Sequence, residues 1–92
     1  FDRQLRGLGR RGDVLVTLST SGNSENVLRC LETARGMGIA TIGLTGATGG
    51  GMKDLCDLCL CVPASSTPRI QEMHIALGHT LCEIVEIALA GA

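Results

Sequence analysis

The sequence predicts an open α/β sheet of parallel strands with helices on both faces. Three short apolar runs alternate with segments whose apolar residues recur every three or four positions, and turns rich in Gly and Ser separate them. Strands alternating with helices imply parallel pairing through right-handed crossovers. With 92 residues, one domain is the ceiling.

The chain opens at Phe1 and runs into Asp2-Arg3-Gln4-Leu5, which reads as the middle or end of a helix. The charges at Arg3, Arg6, Arg10 and Arg11 read as a solvated helix face. Asp13 to Leu18 is a nearly continuous apolar run, the pattern of a strand buried on both faces. After the turn Ser19 to Ser24 the period changes. Val27, Leu28, Leu31 and Ala34 mark an amphipathic helix that Gly36 and Gly38 terminate. Ile39 to Leu44 returns to a buried-strand pattern, Gly46 to Gly51 is a loose loop, and Met52 to Cys56 is a short helix. Asp57 to Val62 gives the third strand and Pro63 to Pro68 a loop. From Arg69, the residues Ile70, Met73, Leu77, Leu81, Ile84, Val85 and Ala88 mark a long helix. Three strands make a thin sheet with an exposed apolar edge, so residues 1–92 are expected to be the C-terminal part of a single larger domain whose N-terminal strands lie elsewhere.

At 45% hydrophobic and 18% charged, the chain has the composition of a globular domain. A net charge of -1 gives no general attraction to nucleic acid, and one Phe without Trp or Tyr leaves no aromatic platform for stacked bases. No apolar run approaches the roughly 20 residues of a membrane span, and no signal peptide is visible. Neither nucleic acid nor membrane is expected as a partner. Five cysteines cannot all pair, which fits a reducing cytoplasm. Cys56, Cys59 and Cys61 form C-x-x-C-x-C but lack the second closely spaced pair of a structural zinc site. Cys59 and Cys61, two apart in a strand, share a face and read as small packed hydrophobes.

Ligands of open α/β sheets sit beyond the carboxyl ends of the strands, which directs attention to the loops after Leu18, Leu44 and Val62. The first carries Ser19, Thr20, Ser21 and Ser24, four hydroxyls at a strand-to-helix junction. Hydroxyl donors, free amides and the positive end of a helix dipole together suit a phosphate dianion. Ordinary capping is the competing reading, but one cap needs only one such residue. The loop has neither the Gly-Lys-Ser/Thr of a nucleotide P-loop nor a dinucleotide G-x-G-x-x-G, so a small phosphorylated metabolite is the expected ligand. Gly49-Gly50-Gly51 reads as a flexible turn without a role.

On the last helix, Gln71 and His79 lie about 80° apart around the axis and about 12 Å apart along it. Service in one site therefore requires long side chains or a second subunit, and an interfacial site is expected. His74, about 140° from His79, reads as structural or exposed.

These segments resemble the sugar isomerase (SIS) domain family, and within it the bacterial phosphoheptose isomerases. The resemblance is carried by Arg11-Gly12-Asp13-Val14-Leu15, Ser19-Thr20-Ser21-Gly22-Asn23-Ser24, Thr41-Ile42-Gly43-Leu44-Thr45-Gly46 and Arg69-Ile70-Gln71-Glu72, in that order. It implies a flavodoxin-like three-layer αβα fold. It also implies that Ser19, Thr20, Ser21 and Ser24 bind the substrate phosphate, while Gln71 and His79 face the reacting end and hold zinc, with His79 catalytic. The implied reaction is the aldose–ketose isomerisation of sedoheptulose 7-phosphate to D-glycero-D-manno-heptose 7-phosphate in surface-polysaccharide synthesis, by a cytoplasmic homotetramer. The family's glutamate base and a further histidine ligand lie in the N-terminal half, so residues 1–92 alone are expected to be inactive. Pro68 stands where some members carry an acidic residue, which leaves a related seven- or eight-carbon sugar phosphate open. The alternative is a non-catalytic SIS module that binds a sugar phosphate or a protein partner. Gln71 with His79 separates the two, because a scaffold has no need of an imidazole there.

Overall fold

Hydrophobic periodicity becomes seven elements in the computed structural model, which describes residues 1–91. They are α1 (Asp2–Leu8), β1 (Val14–Leu18), α2 (Glu25–Met37), β2 (Ala40–Thr45), α3 (Met52–Leu55), β3 (Leu58–Cys61) and α4 (Thr67–Ala90). The strands form one parallel sheet in the order β1-β2-β3. Val14 aligns with Ala40 and Leu18 with Leu44, while Ile42 aligns with Leu58 and Thr45 with Cys61. The expected parallel α/β sheet is present, with element boundaries within about two residues of the sequence reading.

Because side chains alternate across a strand, the registers put Leu15, Thr17, Thr41, Gly43, Thr45, Cys59 and Cys61 on one face. There α2 and α3 bring Val27, Leu31 and Met52 into a core, joined by Leu15, Leu28, Leu55 and Cys56. Gly43 is the point of closest approach: a Cβ there would stand 2.6 Å from Cys56 Sγ and 2.9 Å from Met52 Cε. At the amino ends of the strands, the Asp57 carboxylate accepts from the Thr41 amide (2.8 Å) and hydroxyl (3.3 Å) and ties β2 to the start of β3. α2 ends at Gly38, whose φ of 73° lets its amide reach the Ala34 and Arg35 carbonyls. α1 is held to α2 by hydrogen bonds from Thr33 to Asp2 and from Arg6 to Thr33.

The opposite face differs from the sequence reading. Leu44 is fully buried there, but Val14, Val16 and Leu18 are 59%, 42% and 51% exposed, so β1 is not buried on both faces. An apolar run records what a strand is built to meet, and among the described residues nothing covers this side of β1. At the open edge of β1 runs a groove of about 440 Å³ lined by Phe1, Leu5, Leu8, Val16, Leu18 and Val27.

α4 departs in a second way. Only Ile70 and His74 are buried, and Met73, Ile75, Ile84, Val85, Ile87 and Leu89 are exposed. The helix runs for 24 residues with a window of mean hydropathy 1.4, so its length and apolarity do suffice to cross a membrane. This corrects the expectation that no such segment exists: the polar positions Gln71, His74, Thr80 and Glu83 interrupt the apolar run without taking its mean hydropathy below that of a span, by length and composition alone. The same length and apolarity suit a soluble helix that packs against further protein.

Leu31→Ala is expected to lower unfolding stability by about 2–5 kcal/mol, since it empties a fully buried position. Arg29→Ala, which removes an exposed pair with Glu25, is expected to stay within about 0.5 kcal/mol. Denaturant unfolding of the two variants checks both.

Candidate functional site

Strand β1 ends at Leu18, yet its pairing continues for one more residue: the Ser19 amide donates to the Leu44 carbonyl at 3.0 Å. The chain then turns sharply at Gly22, whose φ is 70°. A Cβ there would fall 2.1 Å from the Gly49 carbonyl oxygen, so conformation and space both require glycine. Within the turn the Gly22 amide donates to Ser19 Oγ at 3.2 Å and the Asn23 amide to Ser21 Oγ at 3.1 Å. These bonds fix the two hydroxyl groups 3.5 Å apart.

Ser24 occupies the N-cap of α2 but makes no side-chain cap bond. Capping therefore does not account for its hydroxyl, and the first turn of a 13-residue helix keeps its amides and positive dipole end without a side-chain partner from this residue. Glu25, in the same turn, is exposed and drawn aside by Arg29 at 3.3 Å. Thr20 contributes through its backbone, its carbonyl accepting the Gly46 amide at 3.0 Å. Thus Ser19 and Ser21 are in contact, with Thr20 between them in the chain and Ser24 three residues on, in one short loop at the carboxyl edge of the sheet.

Behind the loop stands the turn after β2, where the Met52 amide donates to the Gly22 carbonyl at 3.0 Å and the Gly51 amide to Asn23 Oδ1 at 2.8 Å. This second layer was not evident from sequence, where Gly49 to Gly51 looked like a loose connection. Its signal was the pairing of an Asn in one loop with consecutive glycines in the next. His74 belongs to the same support. It is 3% exposed, and its Nε2 lies 3.0 Å from the Thr45 carbonyl, which can only accept, so this nitrogen carries the proton. The structural reading of His74 is the one observed.

Gln71 and His79 are both exposed on α4, and among the described residues neither makes a side-chain hydrogen bond. Eight positions of helix separate them, about 12 Å of rise. The described residues do not bring them together with the serine loop into a closed pocket. The cavity at Arg35, Gly38, Thr41 and Asp57 lies at the opposite, amino end of the strands.

All five cysteines are free thiols. Cys59 and Cys61 share the face expected of them, sulfur to sulfur at 3.9 Å. Burial first, then the neighbouring Cys61, push the Cys59 thiol up to about 11. Burial also raises Cys30 and Cys56.

Residues 1–46 match the family model of the SIS domain. The chain is 62% identical over 89 residues to the phosphoheptose isomerase of Rhodospirillum rubrum, covering 97% of this chain and 47% of that one. It is 58% identical to that of Nitratiruptor sp., covering 94% of this chain and 46% of the relative. Among solved structures, a phosphoheptose isomerase from Neisseria gonorrhoeae superposes with a TM-score of 0.88 at 45% identity, covering 92% of this chain and 49% of that one. One from Francisella tularensis gives the same TM-score at 38% identity, with 92% and 46% covered. The chain spans about half the length of the relatives it matches.

Gly22→Ala is expected to destabilise the loop by about 1–3 kcal/mol, since the new Cβ meets backbone and φ is positive. Thermal unfolding reads this. The thiol of Cys59 stays protonated at neutral pH, so its alkylation rate is expected to keep rising to a midpoint near 11, followed by peptide mass spectrometry.

Proposed function

Since the chain belongs to the SIS domain family, we propose that residues 1–92 are the C-terminal part of one SIS domain in a sugar-phosphate isomerase, and that the serine loop holds the substrate phosphate. The single observation that carries the loop assignment is the uncapped start of α2: Ser24 caps nothing while Ser19 and Ser21 meet beside it. Amides, hydroxyls and dipole together are the means by which a fold without lysine in the loop binds a dianion. High identity to proteins named phosphoheptose isomerase supports sedoheptulose 7-phosphate as substrate and D-glycero-D-manno-heptose 7-phosphate as product.

The reaction moves a proton between C1 and C2 of the sugar through an enediol, which needs a base and a group that stabilises the enediolate oxygen. With the phosphate anchored over α2, the reacting carbons lie at the far end of an extended seven-carbon chain. This suits a site whose anchor and chemistry are well separated. The exposed His79 imidazole is free to relay a proton or to bind a metal, and the exposed Gln71 amide oxygen is a hard donor on the same helix. Two such donors fit part of a zinc site, and zinc ordinarily takes four ligands, so the others come from outside these residues. Zinc, when bound, would supply Lewis-acid stabilisation of the enediolate. The base also lies outside this chain, which is consistent with an inactive isolated segment.

The uncovered apolar side of α4 supports assembly into a homotetramer with interfacial active sites. Unpaired cysteines support a cytoplasmic setting, and the substrate supports a role in surface-polysaccharide synthesis.

Turnover of sedoheptulose 7-phosphate by the full-length protein, with and without added zinc, tests the proposal, with NMR identifying the product. A heptose 7-phosphate is expected. His79→Ala is expected to abolish turnover with unchanged thermal stability. Ser19→Ala with Ser21→Ala is expected to raise KM about tenfold or more, as loss of charge-assisted hydrogen bonds requires. Sugar-phosphate binding that depends on these serines without any product would instead identify a sensing or scaffold module.

A further inference from the structure

We propose that Asn23 is a positioning residue for the phosphate loop, acting by locking it to the glycine turn 49–51. The inference rests on the loop's reading as the phosphate site. Four observations carry it. Asn23 Oδ1 accepts the Gly51 amide at 2.8 Å across 28 positions of sequence. Its own amide is taken by Ser21 Oγ at 3.1 Å, so one residue links a phosphate-facing hydroxyl to the second layer. The contact surface behind it has no slack: Cβ atoms at Gly22 and Gly50 would lie 2.1 Å from the Gly49 carbonyl oxygen and 2.5 Å from the Ser21 carbonyl oxygen. Beside it, the Met52 amide donates to the Gly22 carbonyl at 3.0 Å.

Two loops at the ends of neighbouring strands are thus interlocked, with the exposed serine side left for ligand and the glycine side as its backing. Ser19 and Ser21 hold their spacing only while the backbone between Gly22 and Ser24 is fixed, and Asn23 supplies the side-chain bond that fixes it. A hydrogen-bonding site loses strength when its donors must be reorganised on binding, so looseness here should appear in phosphate binding rather than in the chemical step. The glycine turn, unassigned from sequence, acquires a function as the fixed wall of the anchor.

The bond can be cut from either side. Asn23→Ala removes the acceptor. Gly51→Pro removes the donor at a residue whose φ of -67° already matches proline, and it puts Cδ where the amide proton faced Asn23 Oδ1, so its effect is read against the double variant, in which that oxygen is gone. In the full-length protein, steady-state kinetics with sedoheptulose 7-phosphate and competition by inorganic phosphate are measured for each variant and for the double variant. Each single variant is expected to raise KM and the phosphate inhibition constant together by about tenfold while kcat changes less than about threefold. The double variant is expected to be no worse than either single one, because both remove the same bond. A fall in melting temperature with KM and phosphate inhibition unchanged, in both variants, overturns the proposal and leaves Asn23 a purely structural residue. Ser19→Ala is the control for the underlying reading. If it leaves phosphate inhibition unchanged, the loop is not the phosphate site. If it weakens inhibition while Asn23→Ala and Gly51→Pro do not, only the positioning role fails.

Discussion

Parallel pairing of β1 with β2 is the constraint on which the rest of the site depends. It puts the carboxyl ends of both strands on one edge of the sheet, so the loops after Leu18 and Thr45 emerge side by side. The pairing extends past the strand through the bond from the Ser19 amide to the Leu44 carbonyl. From there the serine loop has little freedom, held at Thr20 by Gly46, at Gly22 by Met52 and at Asn23 by Gly51. His74 secures the same corner from α4 by donating to the Thr45 carbonyl, which also accepts the Val62 amide at 3.0 Å. The hydroxyl groups therefore sit on a rigid junction, which is what an anion anchor needs if binding is not to be offset by ordering.

The surfaces left open are as informative as those that are closed. One side of β1, the groove beside it and most of α4 are apolar and exposed, while Val27, Leu31 and Met52 are buried between α2, α3 and the sheet. On the proposed reading, the remaining half of the domain covers β1 and other subunits cover α4. Those same pieces would bring the base and the further metal ligands to Gln71 and His79. Anchor and chemistry would then be divided between parts of the protein that must assemble before turnover.

Much of this was legible in the sequence, for reasons that differ by element. Strands and helices were readable because Val27, Leu31 and Ala34 keep helical spacing and the three apolar runs are bounded by turn residues. The serine loop stood out as a candidate because it has more hydroxyls than a cap can use. The burial of β1 differs from the apolar pattern, since such a run reports the environment a strand is adapted to and not how much of it the described residues supply. The span-like length and apolarity of α4 were hidden by the polar residues scattered along it. The glycine turn was missed because its role is made by a contact across 28 residues and by missing Cβ atoms, neither of which leaves a periodic trace. The gap between Gln71 and His79 was foreseen from helix geometry alone, and it persists in the fold because α4 is one unbroken helix.

A crystal structure of the full-length protein with sedoheptulose 7-phosphate bound would weigh the central idea most directly. The phosphate should lie over the first turn of α2, within hydrogen-bonding distance of the Ser19, Ser21 and Ser24 hydroxyls. A phosphate bound elsewhere, with the serine loop unaltered and facing only solvent, would contradict the loop's role as the anchor.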